Sequence, residues 1–143
     1  MYIIQMTLSD DVRVWSISEV DDPALFTPFS FLHFYSGVWL AALFSLTGTQ
    51  PNLTFLLMTL SHLAYEIKDM YNMYGKDKEA DDYDNRNSWQ NSMGDQFSAM
   101  LGAALFLRVQ PNKVDKMIFT YMTIFYILLI GFYYTVLKSY EIG

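Results

Sequence analysis

The sequence predicts an all-α membrane protein, a bundle of about four transmembrane helices joined by short turns and one charged loop. The chain has 143 residues, and its charges are unevenly distributed. No Asp, Glu, Lys or Arg occurs in the 43 residues from Pro23 to Tyr65, nor in the 21 residues from Met117 to Leu137. A charged side chain at bilayer depth is costly, so long charge-free runs are typical of lipid-embedded helices.

The first unit, residues 1–24, is predicted to be an acidic N-terminal segment at the membrane interface. One basic residue, Arg13, stands among five acidic ones: Asp10, Asp11, Glu19, Asp21 and Asp22. Apolar residues are interspersed among them, which leaves two alternatives. The segment either forms a short hairpin that turns at residues 9–11 or lies flat on the membrane.

The second unit, residues 25–143, is the predicted four-helix transmembrane domain. Its spans are expected at about 25–46, 51–74, 91–107 and 114–137. Pro28 is tolerated in a first helical turn, and Pro51 opens the second helix, because neither position needs an amide donor. The third span is the least obvious, since a crossing needs at least about 17 residues and therefore places Asp95 inside the helix.

An even number of helices places both termini on one side of the membrane. That side carries six Lys and Arg residues and the opposite side three, which favours cytoplasmic termini. The net charge of −6 argues against a nucleic-acid partner, because such recognition needs a basic surface. The absence of cysteine excludes disulfides and thiolate metal ligands.

In this topology, most polar residues of the spans gather at one leaflet. His62, Glu66 and Asp69 are spaced i, i+4, i+7 and share one helical face, as do Asn91 and Asp95. The predicted ligand-binding residues are His33, His62, Glu66, Asp69, Asn91 and Asp95. Gly37, Ala99 and Gly102 are small residues nearby and predict close helix packing.

Several chemical interpretations of this group remain open. Imidazole and carboxylate groups suit a divalent metal, for which His33, His62, Glu66 and Asp95 are the candidate ligands. The same groups also suit proton transfer. Alternatively, they only form hydrogen bonds between helices or lie solvated at helix ends. No cluster of Arg or Lys is present to bind a phosphate directly, and the sequence leaves open whether any reaction is catalysed.

Three segments resemble the VanZ-like group of small bacterial membrane proteins and its uncharacterised four-helix relatives. They are HFYSG from His33, YEIKD from Tyr65 and NSWQNSMGDQFSAMLG from Asn87. The resemblance covers roughly residues 30–105. It implies a bundle of four or five helices with a role at the cell envelope that involves lipid or a lipid-linked glycopeptide precursor. The residues it carries over are His33, Glu66, Asn91 and Asp95.

Two functions follow as expectations. The first is an integral membrane protein that uses a polar pocket at one leaflet to bind a lipid headgroup, a lipid-linked ligand or a metal. The second is an accessory or structural subunit of a larger membrane complex, such as an energy-transducing assembly or a membrane-containing virion. The expected partners are membrane lipids and either further copies of the chain or the other subunits of such a complex.

Overall fold

The computed structural model describes residues 7–9, 12–16, 24–74 and 89–137. Three short strands come first, namely β1 (Thr7–Ser9), β2 (Val12–Trp15) and β3 (Ala24–Phe26). Four helices follow, namely α1 (Ser30–Ser45), α2 (Pro51–Tyr74), α3 (Trp89–Val109) and α4 (Lys116–Phe132), and a π-helical segment, Tyr133–Leu137, continues α4. The prediction of a mostly helical chain with four helices is confirmed in these residues.

The strands form a small sheet in the order β1-β2-β3. β1 and β2 pair antiparallel, as the hairpin alternative predicts, whereas β3 pairs parallel to β2 and was not predicted. Two of the three residues of the predicted hairpin turn, and all five acidic residues of this region, lie outside the described residues. That residues 1–24 lie at a membrane interface stays a prediction.

The first helix begins at Ser30 rather than near Leu25. Thr27 precedes Pro28, and the residue before a proline is biased away from the helical conformation, so the chain stays extended through β3. Thr27 and Ser30 then form two reciprocal hydrogen bonds that close the first turn. The Thr27 amide donates to Ser30 Oγ at 3.1 Å, and the Ser30 amide donates to the Thr27 carbonyl at 3.0 Å.

Helix α1 packs against each of the other three helices, and its closest contact is with α3. Gly37 lies directly on the backbone of Ala99, and Gly102 lies on the backbone of Phe34. A Cβ atom at either glycine would collide with a carbonyl oxygen of the facing helix. Small residues therefore allow the two backbones to touch, as predicted for Gly37, Ala99 and Gly102.

The α1–α2 turn and the α3–α4 connection meet at the end of the bundle that lies away from the start of α1. Gly48 has a positive φ of 77° in the turn between α1 and α2. The Val114 amide donates to the Ser45 carbonyl at 3.4 Å and joins this turn to the α3–α4 connection. Asp115 caps α4 by accepting from the Met117 amide at 2.7 Å, so this helix starts close to its predicted position.

The interior of the bundle is built from small and polar side chains, while many large apolar ones face outward. Buried residues of α1 and α3 include Gly37, Ala41, Ala42, Ala99, Gly102 and Ala103. Exposed stripes run along α2 and α3 and comprise Leu53, Leu56, Leu60, Leu63 and Ile67 on the first and Met93, Phe97, Leu101 and Leu105 on the second. No residue of α4 between Lys116 and Phe132 is fully buried.

Among the described residues, one helical stretch is both long and apolar enough to cross a bilayer. It is Lys116–Val136, formed by α4 and most of the π-helical segment. Helix α1 is also apolar but has only 16 residues. Helices α2 and α3 are long enough to cross a bilayer but less apolar than Lys116–Val136. Several membrane crossings therefore stay a prediction.

Candidate functional site

Five of the six predicted ligand-binding residues come together at one end of the bundle. His33 is on α1, His62 and Glu66 are on α2, and Asn91 and Asp95 are on α3. We call these five residues the polar cluster. Four of them are almost completely buried, and the side chain of His33 is 20% exposed. His62 and Glu66 are four residues apart on α2, and Asn91 and Asp95 are four apart on α3, so each pair shares one inward helical face. The close α1–α3 contact places His33 beside both pairs.

The two imidazole rings and Glu66 form the centre of the polar cluster. His33 Nδ1 lies 3.1 Å from His62 Nε2 and 3.3 Å from Glu66 Oε1. Each of the three residues offers one potential ligand atom, and these three atoms lie within 4.8 Å of one another. Glu66 Oε1 is fully buried and makes no hydrogen bond within the part of the chain that the structure describes.

Asp95 lies on the other side of the His33 ring. Its Oδ2 is 3.4 Å from His33 Nε2 and accepts a hydrogen bond from Asn91 Nδ2 at 2.8 Å. Its Oδ1 accepts from Ser30 Oγ at 2.8 Å. Asp95 was a candidate metal ligand, but it faces the outer nitrogen of His33, and its oxygens are already used by Ser30 and Asn91. Asp95 is therefore placed to orient His33 rather than to bind the same metal ion.

Gln96 holds the outer nitrogen of the other histidine. Its Nε2 donates to the Thr59 carbonyl at 3.3 Å, and its Oε1 lies 3.0 Å from His62 Nδ1. A backbone carbonyl can only accept, so the amide orientation follows from the first contact. The second contact then requires the proton of neutral His62 to be on Nδ1.

Asp69 is the predicted residue that lies away from the centre. Its carboxylate is 3.2 Å from Lys68 Nζ, and its side chain is 28% exposed. It continues the face of Glu66 toward the end of the described part of α2. The group of donor atoms within 4.8 Å contains His33, His62 and Glu66 and does not include Asp69.

A cleft of about 420 Å³ borders the polar cluster between α1, α2 and α4. His33, His62, Ser36 and Ser61 provide polar groups on its wall. The other lining residues are apolar or aromatic: Phe29, Leu32, Trp39, Leu40, Tyr65, Tyr126, Ile130 and Tyr134. The cleft thus combines a mostly apolar lining with a few polar groups, and its volume is within the range of sites for small ligands.

Two residues of the site were not among the predicted ligand-binding residues. They are Ser30, which donates to Asp95, and Gln96, whose side-chain oxygen contacts His62. Ser30 precedes His33 by three residues and so shares its helical face, which is the signal that places its hydroxyl near Asp95. Gln96 contacts His62 across helices, and no spacing within one helix predicts such a contact.

No protein-family model matches the chain, and no curated protein or solved structure shows significant similarity to it.

Proposed function

We propose that this protein is a multi-pass integral membrane protein that binds a lipid or lipid-linked ligand, with the ligand's headgroup at the polar cluster. The observation that carries the proposal is the cleft, which combines a mostly apolar wall with the two imidazoles of His33 and His62. An amphiphile matches such a site because its chain and its headgroup need different surroundings. Kinship with the VanZ-like group is part of the proposal, since the three segments that carry the resemblance all contribute residues to the polar cluster.

The outward-facing side chains support a membrane environment for the bundle. Large apolar residues form continuous exposed stripes on α2 and α3, and small residues fill the interior. In water this arrangement would expose an apolar surface larger than soluble monomers normally show. In lipid it is favourable, because helices there associate through close packing of small residues and through buried hydrogen bonds. Helices α2 and α3 are then additional crossings, and α1 is a third once its two flanking apolar residues of helical conformation, Phe29 and Leu46, are included.

Filling the cleft tests the proposal. Ile130 lines the cleft from α4, whereas Ile127 on the same helix is 62% exposed and is not among the lining residues. We expect Ile130→Trp to reduce a co-purifying lipid class at least about tenfold and Ile127→Trp to leave it unchanged. The measurement is quantitative mass spectrometry of lipids bound to protein purified in mild detergent. Equal lipid profiles in both variants and the parent protein would mean that only the surrounding bilayer lipid was retained.

A subunit role is the second candidate. The observation that favours it is that close polar contacts of the polar cluster connect α1, α2 and α3, which is what residues that only hold helices together would make. Glu66→Gln and Asp95→Asn separate the two functions. If the polar cluster is a binding site, these variants lose ligand at unchanged folded yield. If it is structural, the yield collapses, and the native protein should then purify as a stable heteromeric complex.

A further inference from the structure

We propose that His33 Nδ1, His62 Nε2 and Glu66 Oε1 bind one divalent transition-metal ion, with Asp95 and Gln96 orienting the two histidines. This inference deepens the proposed function, because it names the positive charge that would hold an anionic headgroup in the cleft. It can fail while lipid binding stands, since it concerns the centre of the polar cluster and not the apolar wall.

The hydrogen bonds around His62 expose a lone pair at its inner nitrogen. Gln96 Oε1 accepts from His62 Nδ1, and the amide of Gln96 cannot be reversed because its Nε2 donates to a carbonyl. Neutral His62 therefore carries its proton on Nδ1 and presents an unprotonated Nε2 to His33. An unprotonated imidazole nitrogen is the form that ligates metals.

The surroundings of His33 lead to the same form. The Asp95 carboxylate lies 3.4 Å from His33 Nε2 and favours a proton there, so that neutral His33 presents an unprotonated Nδ1 to the centre. In metal sites, a ligating histidine almost always donates its other N–H to a carboxylate or a carbonyl oxygen. Here both histidines have such a partner, Asp95 for one and Gln96 for the other.

With these tautomers, His33 Nδ1 faces both His62 Nε2 and Glu66 Oε1 with no hydrogen between the facing atoms, while the approach of His62 to Glu66 is from Nδ1, at 3.7 Å. His33 Nδ1 is 3.1 Å from His62 Nε2 and 3.3 Å from Glu66 Oε1, and the last atom is buried without a hydrogen bond among the described residues. Such an arrangement is repulsive unless a cation occupies it. Ligands around a tetrahedral ion with bonds of about 2.0–2.1 Å stand about 3.3 Å apart, close to both distances.

Two imidazoles and one carboxylate suit a first-row transition ion better than Mg²⁺ or Ca²⁺, which prefer oxygen ligands. Both histidines line the cleft, so a bound ion is reached from the cavity and retains a coordination position for a ligand atom. The competing occupant of the centre is a proton that makes His33 an imidazolium. A metal-binding measurement distinguishes the two.

The test uses the full-length protein in mild detergent, freed of metal by a chelator and then titrated with Zn²⁺ and, separately, with Co²⁺. We expect one ion per chain by elemental analysis and a Co²⁺ absorption spectrum typical of nitrogen and oxygen ligands in tetrahedral geometry. Glu66→Gln should weaken Zn²⁺ binding at least about 100-fold. Gln96→Leu should weaken it about 10- to 100-fold, as found for other residues that orient metal ligands.

The matched control is Asp115→Asn, which makes the same carboxylate-to-amide change at the other end of the bundle and preserves a helix cap. Its Zn²⁺ affinity should equal that of the parent protein. Failure of the parent protein to bind stoichiometric Zn²⁺ or Co²⁺ would leave a proton as the occupant and overturn the proposal. Equal Zn²⁺ affinity of the parent and Glu66→Gln would overturn it too. If Glu66→Gln does not fold, the Co²⁺ spectrum of the parent protein decides.

Discussion

Ser30 shows how one small side chain supports both the start of a helix and the polar cluster. Its hydroxyl accepts from the Thr27 amide at 3.1 Å and donates to Asp95 Oδ1 at 2.8 Å. Thr27 and Asp95 are both buried, so water cannot replace the Ser30 hydroxyl as a partner for either of them. Loss of a partner from a buried polar group costs more than the hydrogen bond itself contributes, because the remaining group is left without compensation.

We therefore expect Ser30→Ala to lower the free energy of unfolding by roughly 1–3 kcal/mol. Thr120→Ala is the control, because the Thr120 hydroxyl is exposed and bonds to the Lys116 carbonyl of its own helix, so its change should stay within about 0.5 kcal/mol. Denaturant unfolding of both variants in detergent measures the difference. Equal stabilities would show that Asp95 does not depend on Ser30.

Between helices, the closest contact is the one that α1 and α3 make through glycine. A methyl group on Gly37 would collide with the Ala99 carbonyl, and one on Gly102 would collide with the Phe34 carbonyl. The obstacle in each case is backbone, which cannot rotate away as a side chain does. The two helices would have to separate, and His33 would then move away from Asp95.

Gly37→Ala should accordingly destabilise the protein by more than about 3 kcal/mol and lower the folded yield. Gly131→Ala is the matched control, because a Cβ at Gly131 on α4 has no neighbour within 4 Å. Alanine is the better helix former, so this variant should be as stable as the parent or more stable by up to about 1 kcal/mol. The measurement is unfolding in detergent. A tolerated Gly37→Ala would show that the helices do not touch there.

In the whole bundle, the α1–α2 turn and the α3–α4 connection lie at one end, and the polar cluster lies at the other. The α1–α2 turn and the α3–α4 connection meet through Val114 and Ser45, while the start of α3 lies at the other end with Asp95. If the bundle crosses a membrane as proposed, these two ends face different aqueous compartments, and the exposed stripe of α2 faces lipid.

The absence of native cysteine makes this topology measurable. We expect Thr47→Cys and Asn112→Cys to react with a membrane-impermeant maleimide from one side of sealed vesicles, and Trp89→Cys from the other side. Leu60→Cys, within the exposed apolar stripe, should react slowly from both sides. If Leu60→Cys reacts as fast as the turn positions, its helix face is in contact with water, and the membrane proposal fails.

Charge-free runs, prolines and the minimum length of a membrane crossing predicted four helices, because these depend only on local properties of the chain. Pro51 opens α2 and Asp95 lies inside α3, both as expected. Residues 25 and 26 were assigned to the first helix instead of to β3, because the parallel pairing of that strand with β2 depends on a partner that no local pattern identifies.

The polar cluster, too, was predicted in part from sequence and determined in part by tertiary packing. Helical spacing and topology alone were enough to bring His33, His62, Glu66, Asn91 and Asp95 to one end of the bundle. The three-dimensional packing determined that Asp95 lies behind His33, that Gln96 holds His62, and that Asp69 stays outside. Spacing predicts which residues share a helical face. How each helix is rotated against its neighbour depends on contacts such as Gly37 on Ala99, which lie far apart in the sequence.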